Sequence, residues 1–268
     1  MTEIIAAMES LTLALTEGPG AATQAKRDKA LAADGRKLEK LVRARFRAQR
    51  KAILASHALR QLVAKEAAET DEQARARIEQ QIAASIGPVV YGEPVTAKAA
   101  AVYDGAIRNA ATEGLEAVTS DFAPSFEAAN QESFVSEYLK DGGFTRLTGQ
   151  IDKTTVDRIA SALADAYEEG ADFDGVAKAV KGEFADMTEY RARMIAQTEL
   201  NDAFNQSIMH FGAQAGATKK AWMVDLAPCV ICIANSLEGD IDLEDDFESG
   251  DDAPPAHPNC LCSLVVSA

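Results

Sequence analysis

The distribution of proline constrains the fold of this chain more than any other feature of its sequence. The eight prolines lie at positions 19, 88, 94, 124, 228, 254, 255 and 258, which leaves two long proline-free runs, 20–87 and 125–227. Proline breaks helices because it lacks a backbone N–H and clashes with the preceding turn. Only 6% of the residues are aromatic and alanine is abundant. Both runs therefore favour packed helices over bulky strands.

The first run predicts a helical arm. Residues 25–86 consist mainly of helix formers with an interrupted apolar stripe, which predicts one long helix or an antiparallel pair. Gly35 or the stretch near Thr70 is the expected break. Together with the amphipathic segment that precedes it, this region makes up a predicted arm over 1–87.

A connecting region is predicted for residues 88–150. Loop signals at Pro88 and at Gly142-Gly143 flank one expected helix near 97–117. This is the least informative part of the sequence, and it is interpreted as helical.

Residues 151–268 predict a small C-terminal domain. Thr154 and Asp157 resemble a capping box, so a helix is expected to begin there and to run to about Glu169. The further elements expected are helices near 174–185 and 188–214, the second followed by Gly216, and short strands at 219–225 and 261–267. The predicted fold class is α+β, with mainly α-helical N-terminal two-thirds followed by a small α+β domain that holds a short β-hairpin.

The charge distribution separates a basic arm from an acidic remainder. The chain carries 27 lysines and arginines against 42 acids, a net charge of −15, which excludes a globally basic nucleic-acid binder. Residues 24–60 nevertheless hold twelve basic residues against three acids. They form either a solvated helix surface or a contact for nucleic acid or an acidic partner. The candidate contact residues are Arg43, Arg45, Arg47, Arg50 and Lys51.

Membrane and export signals are not found in the sequence. No stretch approaches the roughly 20 apolar residues of a membrane span. The N-terminus lacks a basic region and carries Glu3, Glu9 and Glu17. A cytoplasmic site of synthesis and folding is therefore expected.

All four cysteines lie in the last 40 residues. Cys229-x2-Cys232 is followed, after a gap of 24 residues, by His257-x2-Cys260-x-Cys262. This spacing suits tetrahedral zinc, and antiparallel pairing of the two predicted strands would bring both pairs to one end of the sheet. Five candidate ligands then compete for four positions, so Cys260 and Cys262 are partly interchangeable. Free or buried thiols and disulfides remain the alternatives.

Catalytic templates fit poorly. Pro228-Cys229-x-x-Cys232 resembles part of the zinc deaminase motif, but the upstream His-x-Glu that supplies the proton-transferring glutamate is missing. Phosphate loops, nucleophile elbows and His-Glu-x-x-His helices are also missing. A cysteine paired with His210 or His257 stays open as an enzymatic alternative. The acidic segment 238–252 is interpreted as a solvated loop, with a calcium site as the alternative, although it lacks the EF-hand pattern.

Several short motifs in the second half resemble one known family. They are Ile195-Ala196-Gln197-Thr198-Glu199, Asn205, Gly212 and Gly216, Trp222 with Asp225, Cys229-x-x-Cys232, and Pro254-Pro255-Ala256-His257-Pro258-Asn259-Cys260-Leu261-Cys262. In this order the segment from about residue 150 to the end resembles the Mu F-like, head-morphogenesis family of minor capsid proteins of tailed bacteriophages. Leu261 departs from the family, which commonly has a basic residue there.

The resemblance implies a non-enzymatic, low-copy structural protein of the phage head. Its expected partners are the portal protein, the major capsid protein and packaged DNA, with no membrane and no small-molecule substrate. Its expected location is the virion, after assembly in the host cytoplasm, and its expected role is head assembly and DNA packaging or delivery. Thr198, Glu199 and Asn205 are expected to brace the cysteine loop, with a surface role as the alternative. The alternative function is a zinc-stabilised nucleic-acid-binding or regulatory protein that uses residues 24–60.

Overall fold

The structure, a computed structural model, is mostly helical with a small sheet near the C-terminus. It describes residues 21–56, 72–91, 96–128, 131–140, 143–169, 173–187 and 190–268. The helices among these residues are α1 (Ala21–Ala55), α2 (Glu72–Tyr91), α3 (Ala97–Asp121), α4 (Gln131–Lys140), α5 (Gly143–Glu168), α6 (Phe173–Met187), α7 (Tyr190–Gln214) and α8 (Val230–Leu237). The strands are β1 (Lys219–Met223), β2 (Ile241–Asp242) and β3 (Ser263–Ser267). The α+β fold class predicted from the sequence is confirmed.

The chain divides into two compact units. Unit 1 comprises residues up to Glu39 together with 102–140 and 193–268, and unit 2 comprises 40–101 and 141–192. The division predicted from the sequence, 1–87, 88–150 and 151–268, stays a prediction.

Unit 2 is a helical unit in which α5 packs against both α2 and α6. Its core combines buried Phe46 and Phe184 with aliphatic side chains at helical spacing. Among the aliphatic residues are Ile82 and Ile86 on α2 and Ile159 on α5, each at most 3% exposed. This spacing places the apolar residues of each helix on one buried stripe.

Unit 1 contains two glycines at close approaches between elements. A Cβ atom on Gly114 of α3 would lie 1.8 Å from the Ser207 hydroxyl oxygen and 2.9 Å from the Phe204 carbonyl oxygen of α7. A Cβ on Gly212 of α7 would lie 3.0 Å from the Val266 side chain of β3. These glycines let α7 approach both its helical neighbour and the sheet closely.

The sheet is antiparallel with the strand order β2-β1-β3. Trp222 of β1 pairs with Leu264 of β3, so the pairing that the sequence predicts between the two strands is confirmed. The short β2 was not predicted, since a two-residue strand has too few positions to show an alternating pattern. Trp222 meets Phe247 edge-on, with 5.0 Å between ring centroids, which anchors the acidic loop to the sheet.

The helices expected near 97–117, 174–185 and 188–214 are confirmed. Gly216 follows the last of them with φ +90°, as a left-handed residue that ends a helix should.

The break expected at Gly35 is wrong, because α1 is continuous there and runs to Ala55. A single unbroken helix over 25–86 is also wrong, since Ser56 lies outside the helix. The stretch near Thr70 and the predicted amphipathic segment before Gly18 lie outside the described residues.

Three local boundaries predicted from the sequence are also wrong. Thr154 lies inside α5, and its hydroxyl donates to the Gln150 carbonyl at 2.9 Å. Such a bond lets threonine satisfy its hydroxyl within a helix instead of capping one.

Pro88 lies inside α2, where burial of Ile86 and Val90 outweighs the cost of the missing N–H. Gly143 begins α5 and is not part of a loop.

Candidate metal centre

The first half of the cysteine cluster is the start of α8. Cys229 is the N-cap residue of this helix, with extended backbone angles, and its sulfur accepts a bond from the Cys232 amide at 3.5 Å. Cys232 lies in the first turn and is buried. A Cys-x2-Cys pair at a helix start therefore presents both thiols to one side.

The second half is a tight turn that leads into β3. Asn259 adopts a left-handed conformation with φ 63°, and the Cys260 amide donates to the His257 carbonyl at 3.1 Å. His257 places Nδ1 3.0 Å from the Pro258 carbonyl oxygen. With the proton on Nδ1, the lone pair of Nε2 faces the thiols, which is the arrangement of a metal-binding histidine.

Three pairs of ligand atoms from the two halves lie at distances close to those around a metal ion. His257 Nε2 lies 3.2 Å from Cys229 Sγ and 3.5 Å from Cys232 Sγ, and Cys232 Sγ lies 3.6 Å from Cys260 Sγ. A tetrahedral ion with bonds of about 2.3 Å to sulfur and about 2.0 Å to nitrogen separates its ligand atoms by roughly 3.5–3.8 Å. The cluster could therefore hold a metal ion.

Two overlapping groups of three make up the cluster. Cys229, Cys232 and His257 form one group and Cys232, Cys260 and Cys262 the other, each with ligand atoms within 4.8 Å of one another. All four cysteines are free thiols. Cys232 belongs to both groups and is the centre of the cluster.

Crowding shapes the ionisation of these thiols. Burial, together with the neighbouring Cys262, raises the pKa of Cys232 to about 12. A hydrogen bond with Cys262 raises the pKa of Cys260, and the Cys260 thiol in turn lowers the pKa of Cys262 to about 6. The cluster thus accommodates one thiolate by hydrogen bonds from its neighbours, whereas further thiolates need a cation among them.

Three side chains of α7 hold the backbone of the second half. Asn201 Nδ2 donates to the carbonyls of Cys260 and Cys262 at 3.1 and 3.0 Å. Asn205 Oδ1 accepts from the Leu264 amide at 2.8 Å, and Thr198 Oγ1 accepts from the Asn259 amide at 2.9 Å.

The bracing predicted for Thr198 and Asn205 is confirmed by these bonds. Asn201 was not singled out from the sequence, although its i, i+4 spacing from Asn205 puts both amides on one helix face. That spacing is the signal that could have found it.

The second half of the chain matches one family model. Residues 157–265 match the model described as phage Mu protein F like protein. This region is similar to that family and is called the Mu F-like domain below. No curated protein and no solved structure gives a significant match to the chain. The Mu F-like domain includes all five candidate ligands and the three α7 residues that brace them, so the resemblance seen in the sequence is confirmed for this region.

Glu199 of the Mu F-like domain contacts a helix of unit 1, and its expected bracing of the cysteine loop stays a prediction. It is buried and accepts a bond from the Tyr103 hydroxyl at 3.0 Å.

Arg27 of α1 contacts the Mu F-like domain within unit 1. Its buried guanidinium donates to the Leu261 carbonyl and lies 3.5 Å from an Asp225 carboxylate oxygen. From the sequence, Arg27 is only one of the basic residues of the arm, because nothing in the neighbouring sequence distinguishes a buried arginine from an exposed one.

The five arm residues proposed for partner contact differ in their surroundings. Arg45 forms a buried ion pair with Asp152, Nη2 to Oδ2 2.5 Å, and both side chains are at most 10% exposed. Arg43 is partly buried, whereas Arg47, Arg50 and Lys51 are exposed. Arg45 therefore lies in the interior of unit 2, whereas Arg47, Arg50 and Lys51 are accessible to a partner.

Membrane insertion of a helix finds no support in the described part of the chain. None of its helices combines the length and the apolar character that crossing a bilayer needs.

Proposed function

We propose that this protein is a minor head protein of a tailed phage, with a structural rather than a catalytic role. The observation that carries the proposal is the Mu F-like domain over residues 157–265. In this role the chain associates with the portal and the head interior and acts in head assembly and in DNA packaging or delivery. Its partners are the portal protein and the major capsid protein, and its location is the virion.

The proposed cofactor is one structural zinc ion. Thiolates and an imidazole at tetrahedral spacing are the donor set that zinc prefers. Cys229, Cys232 and His257 supply three ligands, and the fourth is Cys260 or Cys262, both of which form a second group with Cys232. A closed site with four protein ligands leaves no open position for substrate, so the ion fastens α8 to the turn before β3.

The proposed contact with packaged DNA lies on the arm. Arg47, Arg50 and Lys51 are exposed at i, i+3 and i+4 on α1, so they lie on one face of the helix. Residues 221–268 hold ten acids and no lysine or arginine, so that region repels a phosphate backbone. The same basic face supports the second candidate function, a zinc-stabilised nucleic-acid-binding or regulatory protein.

The test is affinity purification of the tagged full chain from phage-producing cells, with mass spectrometry of the copurifying proteins and of purified virions. Recovery of the portal and major capsid proteins, with the chain present in virions, is expected. Recovery of nucleic acid or host proteins alone, with virions free of the chain, would overturn the head assignment in favour of the second candidate.

The two candidates also differ in their dependence on the arm. Replacement of Arg47 and Lys51 by Glu should abolish DNA binding by the free protein if it is a nucleic-acid binder, with a steep salt dependence in the wild type. Incorporation into heads should survive that change if the Mu F-like domain directs assembly. A matched control is Lys153→Glu, an exposed cation on α5 that pairs with Asp157.

A further inference from the structure

Helix α8 turns its apolar side to solvent. Of the six large apolar residues that are exposed in the described part of the chain, five lie between 226 and 237. Leu226, Val230 and Leu237 are about four-fifths exposed, at 79%, 81% and 82%. Val230, Ile233 and Leu237 follow the i, i+3, i+7 spacing of a single stripe, which in an ordinary surface helix faces the core.

The inner side of α8 is held by polar groups instead. Cys229 and Cys232 belong to the metal cluster, and Asn235, fully buried, bonds Ser249 through both its amide nitrogen and its amide oxygen. The helix is therefore fixed in place without burying its apolar stripe. A helix that is bonded on its inner side and exposes an apolar stripe is typical of an interaction site.

The surroundings of the stripe are acidic. Exposed Glu238 and Asp240 follow the helix, and the Glu238 carboxylate accepts the amide of exposed Glu248 at 2.8 Å. The two nearest lysines before α8 already have partners. Lys219 donates to the Asp242 carboxylate and Lys220 donates to the Asp252 carbonyl. A partner for this surface therefore needs apolar anchors and positive charge around them.

We propose that the stripe Val230, Ile233 and Leu237, with its acidic rim, is a docking surface for a basic amphipathic helix of another protein. The charge complementarity selects this partner. The chain's own apolar N-terminal segment carries Glu3, Glu9 and Glu17 with no lysine or arginine in residues 1–20, so like charges disfavour it. An anionic lipid surface is disfavoured for the same reason. This surface does not depend on the proposed head function.

The binding test uses two synthetic amphipathic helices of identical pattern, one of leucine and lysine and one of leucine and glutamate, titrated into the zinc-loaded full chain by fluorescence anisotropy. The leucine-lysine helix should bind at least about tenfold more tightly than its glutamate counterpart. Replacement of both Val230 and Leu237 by Ser should raise its Kd by about tenfold or more, because central apolar anchors carry most of the binding energy. Tyr190→Ser, an exposed apolar side chain on α7, is the matched control and should leave Kd unchanged.

The proposal is overturned by three results. An unchanged Kd in the Val230/Leu237 double variant would mean that the lysine helix binds by charge alone, and equal binding of the glutamate helix would remove the basic preference. If sedimentation shows that the chain alone forms a dimer, and the double variant does not, the occupant of the surface would be a second copy of the chain. Circular dichroism checks the fold of the variant, and the single variants Val230→Ser and Leu237→Ser replace it if the double variant does not fold.

Discussion

Replacement of Asn201 by alanine should loosen the metal centre without touching a ligand. The side chain is fully buried, and its amide nitrogen donates to the Cys260 and Cys262 carbonyls at 3.1 and 3.0 Å. These two bonds fix the backbone that presents the second pair of thiols. Alanine removes both donors and leaves a small cavity in their place.

The expected loss follows from these contacts. Each buried bond contributes about 1 kcal/mol, and a buried carbonyl left without a donor costs a further 1–3 kcal/mol or so. The Cys262 carbonyl keeps a longer bond from Asn205 at 3.4 Å. The amide oxygen of Asn201 is itself buried without a partner among the described residues, so its removal offsets part of the loss. The free energy of unfolding should fall by about 2–3 kcal/mol.

Metal affinity should fall as well, because a turn that is less firmly held presents its thiols less well. Loss of a group that orients metal ligands typically lowers affinity about 10- to 100-fold. Urea unfolding followed by circular dichroism gives the free energy, and competition with a chromophoric chelator gives the zinc affinity of the same samples.

The matched control is Gln206→Ala on the same helix. Gln206 makes only exposed contacts with Asp252, at 3.3 and 3.4 Å, so its loss should change the free energy of unfolding by less than about 0.5 kcal/mol. If Asn201→Ala matched this control in stability and in zinc affinity, α7 would not brace the centre and the reasoning would be refuted.

Three further predictions follow from particular contacts. Gly114→Ala should destabilise the protein by about 3 kcal/mol or prevent folding, because its Cβ would lie 1.8 Å from the Ser207 hydroxyl oxygen. Gly105→Ala on the same helix meets nothing within 4 Å and should stabilise the protein by up to about 1 kcal/mol. Thermal unfolding separates the two variants, and equal midpoints would contradict the close approach of α3 to α7. Arg45→Ala should cost about 3 kcal/mol, because the buried Asp152 carboxylate loses its cation and keeps a bond from the neutral Gln49 amide. Exposed Arg47→Ala should cost less than about 0.5 kcal/mol. Similar urea midpoints for the two variants would count against the buried pair. Zinc affinity measured by chelator competition should rise with pH through the neutral range. Burial raises the pKa of Cys232 to about 12 in the metal-free state, so zinc binding must displace the proton of this thiol. A zinc affinity that does not change with pH would argue against thiolate ligation.

The parts of the site that could be predicted from the sequence are those with local spacing. Cys229-x2-Cys232 and His257-x2-Cys260 each lie within one turn of chain, so their spacing alone indicates paired ligands. The pairing of β1 with β3 followed from two short apolar runs at the ends of the cysteine region. Both predictions depended on neighbours in the sequence.

The parts that could not be predicted depend on contacts between distant segments. Arg27 lies 234 residues from the Leu261 carbonyl that it contacts, and nothing in its own helix marks it as buried. The start of α5 at Gly143 rather than near Thr154 reflects packing of the longer helix in unit 2, which overrides a local capping signal. The outward apolar stripe of α8 reverses the usual rule that apolar periodicity marks the buried face.

The cysteine–histidine cluster of the Mu F-like domain is proposed to bind one structural zinc ion. The measurement that tests this proposal most directly is native mass spectrometry of the freshly purified full chain, before and after chelation, beside the Cys232→Ser variant. One zinc ion per wild-type chain is expected, none in the variant, and an earlier thermal unfolding transition once the ion is removed. A chain that is metal-free as purified, takes up no zinc and unfolds identically with and without chelator would contradict it.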